Sequence, residues 1–157
     1  VRLFEGGKAE LVDVMKITEA LFAEHLVFHN LFDHIEKQLP KYKTLAELKA
    51  VVALMDTALQ AHSKTEDDLF IGPLEPAFEE IGQRETFHEE HDEIDELLSE
   101  VMKAKDLKKA RALLHALVIL SRNHFDKEER IVFPMAERVL KSKTLHDLGQ
   151  TWMDQRK

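Results

Sequence analysis

Residues 10–39 read ELVDVMKITEALFAEHLVFHNLFDHIEKQL, and their spacing decides the fold class. Val14, Thr18, Leu21, His25, Phe28, Phe32, Ile35 and Leu39 recur with alternating gaps of four and three, the stripe of a helix that buries one face. Gly6-Gly7 precede this run and Pro40 ends it. Three more runs repeat the pattern. The second, capped by Thr44 with Glu47 three residues on, carries Leu48, Val52, Met55, Leu59, His62, Glu66 and Leu69. The third spans about residues 83–104, after a turn expected from Gly72-Pro73 and Pro76 and a break at Gly82. It carries Phe87, His91, Ile94, Leu98 and Val101. The fourth is capped by Asp106 and kinked by Pro134, and it carries Ala110, Leu114, Leu117, Ser121, His124, Glu128, Ile131 and Met135. Four stripes joined by short loops predict an all-α, up-down-up-down four-helix bundle over about residues 10–140. The polar tail 141–157 is expected to add a short helix held by Leu145, Leu148 and Trp152.

Composition agrees. The 157 residues contain only 5 Gly and 4 Pro, about half the usual share of roughly 12%, too few for the turns of a sandwich or barrel. The length fits a single domain. The absence of cysteine excludes disulfides, thiolate metal sites, iron–sulfur clusters and cysteine nucleophiles. No apolar run approaches the ~20 residues of a membrane helix, and a net charge of −8 argues against nucleic acid and anionic membrane surfaces as partners. A cytoplasmic location is the expectation.

The stripes are apolar except at His25, His62, Glu66, His91, His124 and Glu128. The chain has five His-x-x-x-Asp/Glu pairs, where nine histidines and 30 acidic residues in 157 would give about two by chance. Only His62/Glu66 and His124/Glu128 put both members on a stripe. Height supplies a second test. His25 lies 14 residues before the end of its helix at Leu39 and His62 lies 18 after Thr44; His91 and His124 lie 13 and 18 residues from the next turn. At ~1.5 Å per residue the four rings reach one level. A shift of 66 residues maps the first stripe onto the third, and a shift of 62 maps His62, Glu66 and Leu69 onto His124, Glu128 and Ile131. The chain is a pseudo-duplicated helical hairpin, each half offering one His and then His-x-x-x-Glu.

A buried carboxylate without a partner costs several kcal/mol, so Glu66 and Glu128 require something cationic. Four imidazoles and two carboxylates at one level suit two metal ions, and a thiolate-free set suits iron, zinc or manganese. Phe28, Phe32, Leu59, Ile94 and Ile131 would wall the site with hydrocarbon and favour small apolar ligands. His34, His115 and His146 fall off the stripes and read as surface residues.

The pieces that carry a resemblance are Glu24-His25, His62-Ser63-Lys64-Thr65-Glu66-Asp67, Glu90-His91, His124-Phe125-Asp126-Lys127-Glu128-Glu129 and Phe133-Pro134. In order and spacing the chain resembles the hemerythrin-like (HHE cation-binding) domains over about residues 10–140. The resemblance implies a non-haem di-iron centre, oxo- or hydroxo-bridged, with Glu66 and Glu128 bridging, His25 and His62 on one iron, and His91 and His124 on the other. The chain departs from the animal hemerythrins, which place the last carboxylate five residues after its His and carry His-x-x-x-His in the third helix. Here that last spacing, His124 to Glu128, is four, and His88 and His91 are three apart; the chain is closer to bacterial and regulatory branches. His29 and His88, each one turn from a proposed ligand, are additional candidates that would fill one or two coordination positions.

The resemblance implies a module that binds oxygen or a related ligand such as nitric oxide for sensing, storage or delivery. A di-iron enzyme acting on peroxide or nitric oxide, and an iron-homeostasis module, are the alternatives.

Overall fold

The computed structural model describes residues 15–80 and 84–156, with side chains described over 15–80 and 88–156. Gly6-Gly7, Val14, Gly82, Gln83 and the side chain of Phe87 lie outside these bounds. Among the described residues every regular element is helical.

Helix α1 spans Ile17–Gln38 and passes into a 3₁₀ turn, Leu39–Lys41, that contains Pro40. It starts later than the stripe predicts: Lys16 is extended, and its N–H donates to the Glu19 carboxylate at 2.8 Å, which caps the helix. Helix α2, Leu45–Thr65, opens with the expected capping box. Thr44 Oγ1 accepts from the Glu47 N–H at 3.2 Å, while the Glu47 carboxylate accepts from the Thr44 N–H at 3.1 Å. Helix α4 spans Arg84–Lys103, and α5 spans Leu107–Lys127, where Asp106 Oδ1 accepts from the Lys109 N–H at 2.7 Å.

One expectation fails between these helices. Gly72-Pro73 and Pro76 do not make a turn. After α2 the chain continues as a π-helical segment, Glu66–Ile71, and then as helix α3, Gly72–Glu80. Pro73 occupies the second position of that new segment, where an N–H has no partner within its own helix to lose. The counterpart follows α5: a π-helical segment, Glu128–Val132, leads into helix α6, Phe133–Val139, with Pro134 in its first turn. The Phe133 N–H reaches back five residues to the Glu128 carbonyl.

Each π segment turns the following residues. The stripes predict Leu69 and Ile131 on the inward face, but Leu69 is only half-buried and Ile131 is 50% exposed. Phe70 and Val132 take the core positions instead, at 0% and 2% exposure. The widened turn holds one residue more, so the apolar stripe advances by one. Ile131 therefore does not wall the site.

The bundle core is divided by height. One apolar cluster gathers Phe28, Phe32 and Ile35 of α1, Leu48 to Leu59 of α2, Ile94 to Val101 of α4, and Ala110 to Phe125 of α5. The other gathers Ile17 and Leu21 of α1 with Phe70, Leu74, Phe78, Val132, Phe133 and Met135. Between them lie the buried polar residues His25 of α1, His62 and His124 near the ends of α2 and α5, and Glu66 and Glu128 at the starts of the two π segments.

Helix α7, Ser142–Gln155, realises the short helix expected of the tail and packs on α1. Leu145 is buried, Leu148 and Trp152 partly so. Gly149 makes the close approach. A Cβ there would run into the Met15 carbonyl oxygen and stand 3.0 Å from its carbon and 3.1 Å from that of Lys16.

Candidate metal centre

The His-x-x-x-Glu spacing places each histidine in the last turn of an α-helix and each glutamate at the first residue of the π segment that follows. Helix spacing of four brings His62 and Glu66, and His124 and Glu128, onto one face. Helices α1 and α4 bring His25 and His91 to the same height. The π segments then carry the chain away while keeping phenylalanine and valine in the core.

All inward contacts are made by the Nε2 atoms. His25 Nε2 and His62 Nε2 are 3.1 Å apart, and His91 Nε2 and His124 Nε2 are 2.9 Å apart. Each carboxylate divides its oxygens between these pairs. Glu66 Oε1 lies 3.3 Å from His62 and its Oε2 lies 3.5 Å from His91. Glu128 Oε2 lies 3.2 Å from His25 and its Oε1 lies 3.3 Å from His124. His25, His62, Glu66 and Glu128 therefore form one four-atom donor set, and Glu66, His91, His124 and Glu128 form another. Within each set the atoms lie within 4.8 Å of one another.

The outward nitrogens establish what the inward ones can do. His62 Nδ1 donates to Glu24 at 2.7 Å, His124 Nδ1 to Glu90 at 2.9 Å, and His25 Nδ1 to Glu129 at 3.0 Å. His91 Nδ1 stands 3.7 Å from Asp67. An imidazole whose Nδ1–H is held by a carboxylate turns its Nε2 lone pair inward. The centre is then a ring of facing acceptors, four nitrogens and four carboxylate oxygens. Glu66 and Glu128 are fully buried, and among the described residues none of their four oxygens accepts a properly directed hydrogen bond. Such a cluster is unstable without positive charge between its members.

The ionisation behaviour carries the same message. Burial works against a charged ring at His62, yet the Glu66 carboxylate and the contacts with Glu24 lift its pKa to about 10. At His124 burial is likewise overridden, by Glu128 and Glu90, and the pKa rises to about 10. His91 reaches about 9 against its burial through Asp67 and Glu66. Burial would raise the Glu66 carboxyl, but His62 and His91 hold it well below the usual range. Without metal, protons take the place of cations. The thiolate-free N and O donors suit iron, zinc or manganese.

Six of the eight histidine and glutamate candidates thus converge. The other two stand outside the donor sets. His29 is partly exposed, and its Nε2 contacts Glu129 Oε1 at 3.1 Å, the same oxygen that holds His25. His88 is exposed and lines an open polar cavity of about 400 Å³ with His91, Asp67, Asp92 and Asp95. His34 and His115 are exposed as expected, while His146 is partly buried and its Nδ1 donates to the Ser142 carbonyl at 2.8 Å.

The reading of the stripes missed the four outer carboxylates and Phe125. Phe125 stacks on His25 with ring centroids 4.0 Å apart and an 11° tilt, and it also touches the rings of His29, His62 and His124. The carboxylates had a signal. Glu24 precedes His25 as Glu90 precedes His91, and Asp67 follows Glu66 as Glu129 follows Glu128, so the two repeat shifts extend to them. In both hairpins the Glu preceding one histidine supports the histidine of the neighbouring helix.

Compared with protein-family models, residues 16–146 match the hemerythrin HHE cation binding domain. The match covers most of the chain, which belongs to this family. Comparison with curated proteins and with solved structures gives no match.

Proposed function

We propose that this member of the hemerythrin HHE cation-binding family holds two iron ions, each on two imidazoles, joined by Glu66 and Glu128. The observation that carries the reading is the division of oxygens: each buried carboxylate offers one to the His25/His62 pair and the other to the His91/His124 pair. Bound iron would supply one-electron redox chemistry and open coordination positions. Four imidazoles and two bridging carboxylates fill about eight of the roughly twelve positions of two near-octahedral ions, which leaves room for a bridging oxygen atom and a small exogenous ligand.

The chain's own residues determine which ligand fits. Phe125 and Phe133 face His25, and Phe28 packs edge-on against His62 with centroids 5.4 Å apart. On the His25/His62 side these rings exclude bulk water and polar substrates. A surface cavity of about 280 Å³, lined mainly by Val27, Phe28, Leu31, Ala58 and Ala61, backs onto Phe28 and suits a small apolar molecule. Oxygen or nitric oxide fits that description, and reversible binding for sensing, storage or delivery is the function we assign. Glu24, Glu90 and Glu129 keep three imidazoles in the tautomer that presents Nε2.

The test is metal content per chain, with the ultraviolet–visible spectrum recorded before and after anaerobic reduction and readmission of air. Two irons and a spectrum that returns reversibly are expected. Glu66→Ala or Glu128→Ala should lower the content below two, and full retention in both variants would refute the shared carboxylates. Iron that oxidises once and does not return would refute reversible ligand binding while leaving the centre intact.

A further inference from the structure

The two halves of the centre are near-duplicates in their inner donors but differ in what holds their outer carboxylates. Glu90, which supports His124, is held by Lys127 Nζ at 2.8 Å, from within the bundle. Glu24, which supports His62, is held from outside it. Its Oε2 accepts from His62, while its Oε1 accepts from Trp152 Nε1 at 3.1 Å and from Arg156 Nε and Nη2 at 3.2 and 2.7 Å. Trp152 lies on α7 and Arg156 immediately follows it. The Arg156 guanidinium also lies over the indole, 5.2 Å from its centroid, and its Nη2 reaches the Ala61 carbonyl at 3.4 Å, one residue before His62.

We propose that the C-terminal helix α7 positions one half of the metal centre: Trp152 and Arg156 fix Glu24, and Glu24 fixes the His62 ring for its metal. The inference rests on the two-metal reading above. Trp152 and Arg156 are positioning residues, acting only through Glu24. Glu24 with both oxygens engaged has a single orientation, and His62 inherits it. With α7 undocked, Glu24 keeps only its contact to His62, and its carboxylate, already largely out of solvent, can turn to water. Coupling of this kind is reciprocal: metal at the His25/His62 half must strengthen the docking of α7 by the factor by which α7 strengthens metal binding. The outer carboxylate of the other half, Glu90, is held without the tail, because Lys127 is part of α5 itself.

Anaerobic iron(II) titration of the full chain tests this by resolving the affinity of each equivalent. Loss of outer-shell partners typically weakens metal binding 10–100-fold. The double variant Trp152→Phe/Arg156→Ala is expected to weaken one equivalent by about tenfold or more and leave the other within about twofold. Lys127→Met is expected to weaken one equivalent similarly, and the combined variant to weaken both, because the two lesions lie on different halves. In the unaltered chain, metal should slow amide hydrogen exchange across residues 142–155, and in the Trp152/Arg156 variant it should not. Unchanged affinities, equal weakening of both equivalents by the tail variant, a combined variant that weakens only one, or exchange in α7 indifferent to metal would each overturn the proposal. An unaltered chain binding fewer than two ions would instead overturn the two-metal reading, and this inference with it.

Discussion

The π-helical segments make a prediction that a regular helix does not. On an α-helix Leu69 lies about 60° from Glu66, well within an inward face, and the repeated spacing of four and three assigns it to the core. In the structure Leu69 is half-buried while Phe70 is fully buried and meets Phe133 edge-on, centroids 5.7 Å apart. Truncating a buried phenylalanine to alanine costs about 3–5 kcal/mol, from lost transfer energy and the cavity left behind. For a half-buried leucine about half the usual core penalty remains, about 1–2 kcal/mol. At about 2–4 °C per kcal/mol for a chain of this size, Phe70→Ala should lower Tm by about 6–20 °C and Leu69→Ala by about 2–8 °C. The second hairpin offers the same comparison. Val132→Ala, losing two buried methyl groups, should cost about 2 kcal/mol. Ile131→Ala, at a half-exposed position, should cost about 1 kcal/mol or less. Thermal denaturation followed by far-ultraviolet circular dichroism, with chelator present so that metal linkage does not contribute, measures all four. Leu69→Ala as costly as Phe70→Ala, together with Ile131→Ala as costly as Val132→Ala, would refute the register shift and the π segments that produce it.

Three further outcomes follow from the geometry. In the metal-free protein His62, His91 and His124 are raised from 6.5 to about 10, 9 and 10, so the stability they contribute is complete below about pH 6.5 and is lost as pH climbs toward those values. Metal needs the neutral rings, and its stabilising shift in Tm should therefore grow between pH 6 and pH 8; a shift that shrinks over that range, measured by calorimetry with and without metal, would contradict the protonated cluster. His34→Ala and His115→Ala, both at exposed positions, should leave metal content unchanged, and elemental analysis showing a loss would mean that the buried faces are misassigned. Gly149→Ala forces a methyl group into the Met15 carbonyl and should cost about 1–3 kcal/mol; a melting temperature equal to that of the unaltered chain would show that α7 does not approach α1 so closely.

Periodicity made the long helices legible, because the spacing of four and three survives wherever the backbone is a regular α-helix. The caps Thr44 and Asp106 were equally plain, since side-chain oxygens at those positions have an immediate N–H to satisfy. Pattern failed where the helix widens. Positions three and four after Glu66 are both apolar, Leu69 and Phe70, so nothing in the stripe distinguishes an α turn from a π turn. Gly72-Pro73 reads as a stop signal only if the preceding ladder is intact, and here the π segment has already interrupted it. The six inner residues stood out as polar breaks in apolar stripes. Glu24, Glu90, Asp67 and Glu129 did not, because an acidic residue beside a stripe resembles any solvated face in a chain with 30 of them. Their mark is the repetition in both hairpins. His29 shares the flank of His25 and was indistinguishable from a ligand by spacing. Its contact with Glu129, a residue 100 positions away, is what sets it apart.

Whether two ions share Glu66 and Glu128 is decided by an anomalous difference map from crystals of the metal-loaded protein. Two peaks are expected about 3.5–4 Å apart, one against His25 and His62, the other against His91 and His124, with both carboxylates between them. A single peak, or a metal held by one carboxylate alone, would contradict this arrangement.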